Sequence, residues 1–148
     1  MSLLIVVIFF FSGLGAFAKN SETNLSSCGT SSLDDNVPPN VEIISPEMGF
    51  LYFHLFEKQL KIHINPPYFT LIIGKIDIEV NATDNSGIDC VKFYIDNELK
   101  ATITEEPYRW LWDENNQFFP YVIKVTACDC AGNENSTKIN VWKLQLFV

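Results

Sequence analysis

The chain has 148 residues, the length of one globular domain, and 47% of them are hydrophobic, which is enough apolar surface to close a single core. Its formal net charge is −8. This charge argues against nucleic-acid binding, because an acidic surface repels phosphate backbones, and it favours cations and basic partners.

Residues 1–18 predict a secretory signal peptide. The stretch contains no Asp, Glu, Lys or Arg, is apolar from Leu3 to Phe11, and ends in Ala16-Phe17-Ala18 before polar residues. A small-x-small triplet of this kind is typical of a cleavage site. A basic n-region is missing, so an uncleaved membrane anchor is the alternative, and membrane contact is expected only in that case. We expect cleavage and a secreted or cell-surface location.

Residues 19–38 are mostly Ser, Asn, Thr and Asp, a composition that predicts a flexible tether. From residue 39 the pattern changes to short β-branched or aromatic runs separated by Asn, Asp, Gly and Pro. No run has a helical period. We therefore expect an all-β domain over 39–148. The predicted strands are 41–45, 51–56, 61–64, 73–82, 91–95, 99–104, 108–113, 121–128 and 137–147.

These strands predict an antiparallel β-sandwich of about seven to nine strands in which sequential strands pair. Two turns support that pairing, Asp96-Asn97 and Ala131-Gly132-Asn133, because their residues tolerate positive φ. Tyr108, Trp110 and Trp112 share one face of a strand. We predict that they fill the core, Trp112 more deeply than Trp110, and a sugar-stacking platform is the alternative.

Several sequence blocks occur in a recognisable order: the run from Val80 to Asp89, then Val91-Lys92-Phe93-Tyr94-Ile95-Asp96, Pro107-Tyr108, Trp112-Asp113 and Ala127-Cys128-Asp129-Cys130-Ala131-Gly132-Asn133. Together they resemble the Ig-like domains of bacterial and archaeal extracellular and cell-surface proteins. The resemblance covers about residues 38–148 and is weakest over 49–68. It implies an immunoglobulin-like sandwich that serves adhesion, spacing or presentation, with no catalytic residue to carry over.

Acidic residues in the turns of these blocks form a candidate calcium site. The proposed ligands are Asp84, Asp89, Asp129 and Asn133, because calcium takes six or more oxygen ligands and three carboxylates supply a start. In the alternative interpretation, which we favour, these side chains close turns by accepting hydrogen bonds from nearby backbone amides. No other cofactor is expected.

The four cysteines are Cys28, Cys90, Cys128 and Cys130, and they permit three pairings. Export makes disulfides the default. The predicted strand order places Cys90 within reach of Cys128 or Cys130, and the preferred pairing is Cys90 with Cys130, which leaves Cys28 for Cys128. Zinc binding by Cys-x-Cys and a third thiol is the alternative, although the usual C-x-x-C spacing is absent.

Three Asn-x-Ser/Thr triplets are candidate glycosylation sites, at Asn24, Asn81 and Asn135. Catalysis is not expected, since neither His54 nor His63 belongs to a catalytic motif and the carboxylates are scattered through turns. The sequence predicts a non-catalytic Ig-like module for adhesion, spacing or protein interaction, whose partner is another protein or a second copy of itself. The alternative is a carbohydrate-binding module that recognises a surface glycan through exposed Trp110 or Tyr52.

Overall fold

A computed structural model of the chain describes residue 28 and residues 35–55, 58–64, 67–114 and 119–144. These residues form ten strands: β1 (Asn40–Ser45), β2 (Phe50–Leu55), β3 (Lys58–His63), β4 (Leu71–Ile73), β5 (Ile76–Thr83), β6 (Ile88–Ile95), β7 (Glu98–Ile103), β8 (Arg109–Trp112), β9 (Phe119–Asp129) and β10 (Glu134–Leu144). Among them there is no helix long and apolar enough to cross a membrane.

The strands form two sheets that pack against each other. The smaller sheet has the order β1-β5-β8, and the larger has the order β3-β2-β4-β10-β9-β6-β7. Alternating apolar residues supply the core between them, for example Ile76, Ile78 and Val80 on β5. The prediction of an all-β sandwich is confirmed.

The predicted strand over 73–82 is correct from residue 76, where β5 begins, but its start is wrong, because residue 73 belongs to the separate strand β4. Gly74 has a φ of 86°, a left-handed value that glycine adopts without steric cost and that redirects the backbone. The break raises the strand number to ten. It also lets β4 pair with the larger sheet while β5 pairs with the smaller one.

Sequential antiparallel pairing is only partly correct. Most pairs are antiparallel, but β4 lies parallel both to β2 and to β10. The hairpin of β2 and β3 extends the larger sheet beyond β4 and places β3 at its edge. Periodicity in sequence does not report which strands become neighbours, so these parallel contacts were not predicted.

The two predicted turns are present. Asp96 and Asn97 have φ values of 49° and 69° and join β6 to β7. This is the backbone that a two-residue hairpin turn requires. The turn that contains Gly132 joins β9 to β10, with its φ at 96°.

Candidate functional site

One end of the sandwich carries an acidic pole, which consists of Asp35, Asp84 and Asp129. One carboxylate oxygen from each lies within 4.8 Å of the others. Asp84 follows β5 and Asp129 ends β9, so the two sheets each contribute a strand end to the cluster. Asp35 comes from the segment predicted to be a tether, which is why sequence reasoning missed it.

Asp129 is buried, and its carboxylate is held by the turn that follows it. Its Oδ1 accepts hydrogen bonds from the backbone nitrogens of Ala131 at 2.9 Å and Asn133 at 2.7 Å. Its Oδ2 accepts a bond from Asn133 Nδ2 at 2.7 Å. Burial would raise the pKa of Asp129, but the bonds from Asn133, Ala131 and Gly132 outweigh it, so the pKa lies below its usual value.

The carboxylates of Asp84 and Asp35 also accept hydrogen bonds from neighbouring residues. Asp84 Oδ1 accepts bonds from the Ser86 nitrogen at 2.7 Å and the Ser86 hydroxyl at 2.8 Å. Asp35 accepts from the Val37 nitrogen at 3.0 Å and from Asn85 Nδ2 at 2.8 Å. These contacts match the turn-closing role of such side chains.

The proposed ligand Asp89 does not join the pole. The register of β6 against β9 shifts between Ile88 and Cys90, and Asp89 is exposed at that irregularity. Its carboxylate lies 3.7 Å from Cys28 Sγ instead. The candidate carboxylates for a cation are therefore Asp35, Asp84 and Asp129. Asn133 lies beside them, with its Nδ2 donating to Asp129 Oδ2 and to the Asp35 carbonyl oxygen.

The preferred cysteine pairing is wrong. Cys28 is bonded to Cys130, with their Cα atoms 5.4 Å apart, and the thiols of Cys90 and Cys128 are free. The physical reason is that β6 begins at Ile88, three residues earlier than predicted, so that Cys90 pairs in register with Cys128. Cys130 lies beyond the end of β9, where its nitrogen donates to the Gly87 carbonyl at 3.0 Å.

The aromatic residues of β8 and its approach pack inward. Tyr108 and Trp112 are buried, and Trp110 is half-buried against Phe93 with ring centroids 6.1 Å apart. Tyr52 is also buried. Neither residue named for the carbohydrate alternative forms an exposed strip: Tyr52 belongs to the core, and Trp110 packs on it.

The candidate glycosylation sites have different surroundings. Asn81 and Asn135 are exposed, on β5 and β10, whereas Asn24 lies outside the described residues. Asn135 Nδ2 donates a hydrogen bond to the Pro39 carbonyl at 2.9 Å. A glycan attached there would replace one hydrogen of this donor nitrogen.

A depression near the acidic pole has a volume of about 420 Å³ and is lined by Asp84, Thr104, Glu105, Glu106 and Tyr108, among others. Both histidines lie away from it. His63 is exposed on β3 with its ring edge-on to Phe50, and His54 is on β2. The described lining supplies carboxylates but neither imidazole.

A second feature, which sequence reasoning missed, is an apolar surface on the solvent side of the larger sheet. A row runs across five neighbouring strands through register pairs from Ile62 to Leu51, Leu71, Trp142 and Pro120. A second row runs from Leu60 to Phe53, Ile73 and Leu144. We call these residues the outer apolar face: Leu51, Phe53, Leu60, Ile62, Leu71, Ile73, Pro120, Trp142 and Leu144.

The two sides of β3 differ in chemistry, and its apolar side is exposed. Leu60 and Ile62 are 46% and 53% exposed. On the opposite side of β3, Gln59 Oε1 accepts a bond from the Asp77 nitrogen at 3.4 Å, and Lys61 Nζ lies 4.3 Å from the Phe50 ring centroid. The alternation of β3 was visible in sequence, but it does not tell which side faces solvent.

Comparison with known proteins finds a family model that matches about half of the chain. Residues 66–137 match the model described as a bacterial Ig domain. This segment is similar to bacterial Ig domains. The resemblance inferred from the ordered blocks is therefore confirmed. The matched segment begins after β3, so β1, β2 and β3 precede the part of the Ig-like domain that the family model covers.

Solved structures share the fold of the Ig-like domain. The fibronectin(III)-like modules of Clostridium thermocellum CbhA match with a TM-score of 0.53 and 20% identity, over 74% of this chain and 48% of that one. The chain thus spans about half the length of that structure, and at this identity the likeness concerns the fold alone.

A more distant structure is Bacteroides ovatus SGBP-B of a mixed-linkage glucan utilization locus, in complex with a mixed-linkage heptasaccharide. It matches with a TM-score of 0.46 and 16% identity, over 76% of this chain and 26% of that one. No curated protein matches the chain.

Proposed function

We propose that this chain is a non-catalytic, exported surface module that binds another protein through its outer apolar face. The observation that carries the proposal is the exposed apolar side of β3, where Leu60 and Ile62 are 46% and 53% exposed at one end of the outer apolar face. A large exposed apolar patch of a soluble protein is typical of an interaction site. The hairpin also lies outside the segment that matches the bacterial Ig family model.

The chemistry of the outer apolar face favours a protein partner. Most of its residues are aliphatic, and aliphatic side chains pack well against the side chains of another protein. A glycan platform needs flat aromatic rings combined with polar groups. Here Trp142 is exposed, but its register neighbours are Leu71 and Pro120.

The position of β3 adds a second mode of contact. It is an edge strand, so its outer backbone groups are available to a partner strand. Lys58 and Lys61 lie on the same strand, and lysines at an edge discourage unselective pairing. A partner that satisfies both features would present an extended segment with apolar side chains on one side.

Absence of catalysis and export both belong to this proposal. Ig-like folds serve most often as binding or spacing modules, and the site residues found here act in turns or in the core. Export is supported by the apolar leader over residues 1–18 and by the Cys28–Cys130 bond, because disulfides persist in oxidising compartments.

The test is capture of partners from the cell-surface fraction of the source organism. The parent chain is compared with the double variant Leu60→Lys/Ile62→Lys, which adds charge to the outer apolar face at positions already exposed. The matched control is Leu99→Lys, since Leu99 is 52% exposed on the opposite edge strand of the same sheet. We expect the parent and the control to retain the same protein and the double variant to lose it.

Two results would overturn the proposal. Equal capture by all three proteins would show that the outer apolar face is not the binding surface. Retention of polysaccharides from a defined panel, abolished by Trp142→Ala, would favour the carbohydrate-binding alternative. Circular dichroism on each variant separates loss of binding from loss of fold.

A further inference from the structure

Two free cysteines face each other across neighbouring strands. Cys90 on β6 and Cys128 on β9 are direct register partners, and each is 7% exposed. Their strand neighbours Val91 and Ala127 point into the core, so both thiols lie on the outer side of the larger sheet. The pair therefore lies on the outer side of the sheet rather than in the core, although little solvent reaches it.

The spacing of such a pair suits a covalent bond. Residues directly opposite in an antiparallel pair have Cα atoms about 4.5 or 5.5 Å apart, depending on the hydrogen-bonding class. Disulfides span Cα separations of about 4.4 to 6.8 Å. The backbone spacing of such a register pair thus falls within the range that disulfides span.

An ion pair covers the thiols. Lys92 Nζ lies 2.9 Å from Glu134 Oε1, and the same oxygen accepts from Cys128 Sγ at 3.2 Å. Burial, followed by the neighbouring Cys90 and Glu134, raises the pKa of Cys128 to about 12, with Lys92 opposing the shift. A thiol of this kind reacts slowly because little of it is thiolate, so oxidation is faster before the sheet closes.

We propose that Cys90 and Cys128 are joined by a second, cross-strand disulfide in the exported protein. This inference rests on the export that the proposed function includes, but not on the outer apolar face. It is argued from the register of β6 and β9 and from the Cys28–Cys130 bond, since disulfides persist in oxidising compartments. The two bonds together use all four cysteines.

The reaction needs an oxidant that itself carries a disulfide, either a small-molecule disulfide or a thiol–disulfide oxidoreductase. One cysteine thiolate attacks the oxidant, which forms a mixed disulfide and releases one oxidant thiol. The second cysteine thiolate then attacks the protein sulfur of that mixed disulfide and releases the other oxidant thiol. Two electrons and two protons pass from the protein thiols to the oxidant, which leaves as two thiols.

The experiment uses the full chain exported into an oxidising compartment. The purified protein is unfolded in denaturant with an excess of iodoacetamide and no reductant, then analysed by intact mass and peptide mapping. We expect no alkylated cysteine, a mass lower than that of the reduced chain by four hydrogens, and a linked peptide pair that contains Cys90 and Cys128.

Two variants make the assignment specific. Cys28→Ser/Cys130→Ser should still show Cys90 and Cys128 protected from alkylation, and Cys90→Ser should show one alkylated residue, Cys128. Alkylation of both Cys90 and Cys128 in the parent would overturn the proposal, and so would a bond from either of them to Cys28 or Cys130 in peptides cleaved between Cys128 and Cys130. The parent measurement stands even where a variant fails to fold.

Discussion

Lys143 is fully buried with its Nζ 4.7 Å from the centroid of the Trp112 ring. Its amino group therefore packs over the ring of the largest core side chain. The Nζ donates a hydrogen bond to the Glu114 carbonyl at 2.6 Å. Burial lowers the pKa of Lys143, and the nearby Glu114 and Asp113 carboxylates oppose that shift. The ring face and the carbonyl together replace part of the hydration that the ammonium loses.

Lys143→Met should leave the domain as stable or make it more stable at neutral pH, by up to about 2 kcal/mol, because it removes a desolvated charge while keeping the volume. The pH dependence has a definite sign. Between the lowered pKa and the ordinary value of 10.5, the unfolded chain binds a proton that the folded chain does not, so stability from this group rises with pH.

Urea unfolding from pH 7 to 10.5 checks this. The parent should gain stability relative to Lys143→Met as the pH rises. Lys138→Met is the control, since Lys138 is exposed on the same strand, and it should follow the parent. A constant difference between the parent and Lys143→Met across this range would contradict the prediction.

Asp129→Asn should lower the melting temperature at neutral pH, because the turn loses a charged acceptor of several hydrogen bonds. Since the pKa of Asp129 is lowered in the folded state, its contribution is present above the ordinary carboxyl pKa and is lost as the pH falls through the lowered one. The gap between parent and variant should therefore close in acid. Glu42→Gln, an exposed change on β1, serves as the control for general charge effects, and a gap that persists at pH 2 would argue against this account.

Calcium should leave the melting temperature unchanged relative to chelator. Each carboxylate of the acidic pole already accepts hydrogen bonds from the protein, which supports the turn-closing interpretation over the calcium hypothesis. Thermal melts in millimolar calcium and in chelator compare the two directly. A rise with calcium that disappears in Asp35→Asn would establish a cation site at the pole instead.

The double change Cys28→Ser/Cys130→Ser should destabilise the domain by about 4 to 5 kcal/mol on the chain-entropy account, since the bond closes a loop over a sequence separation of 102 residues. Urea unfolding at neutral pH measures the loss. The single change Lys138→Ala, at an exposed position on β10, gives the scale of an ordinary surface substitution. A loss no larger than that of the control would mean that the bond does not constrain the unfolded chain.

Most of the fold could be predicted from local features of the sequence. The alternation of Ile76, Ile78 and Val80 predicted β5 and its inward side, and the turn at Asp96-Asn97 predicted the β6–β7 hairpin. Both signals act between residues close in the chain, where the pleat and the allowed φ values leave few choices.

Features that depend on contacts between distant parts of the chain were harder to predict from the sequence. The place of β4 between β2 and β10 depends on which distant strands become neighbours. The pairing of Cys90 with Cys128 depends on a shift of register between Ile88 and Cys90, which no local pattern specifies. Asp35 belongs to the acidic pole, although the composition of its segment predicted only a tether. The outward orientation of Ile62 likewise depends on what covers the other side of β3.

The Cys28–Cys130 bond determines where a pulling force enters the domain. Tension on residues before Cys28 passes through that bond to Cys130, next to the end of β9, and bypasses the covalent path through β1. The ladder between β1 and β5 is therefore not in the path of that force, and the load passes into β10, which follows Cys130 and is paired with β9 and β4 in the larger sheet. A module tethered in this way bears force through a strand that is paired on both sides.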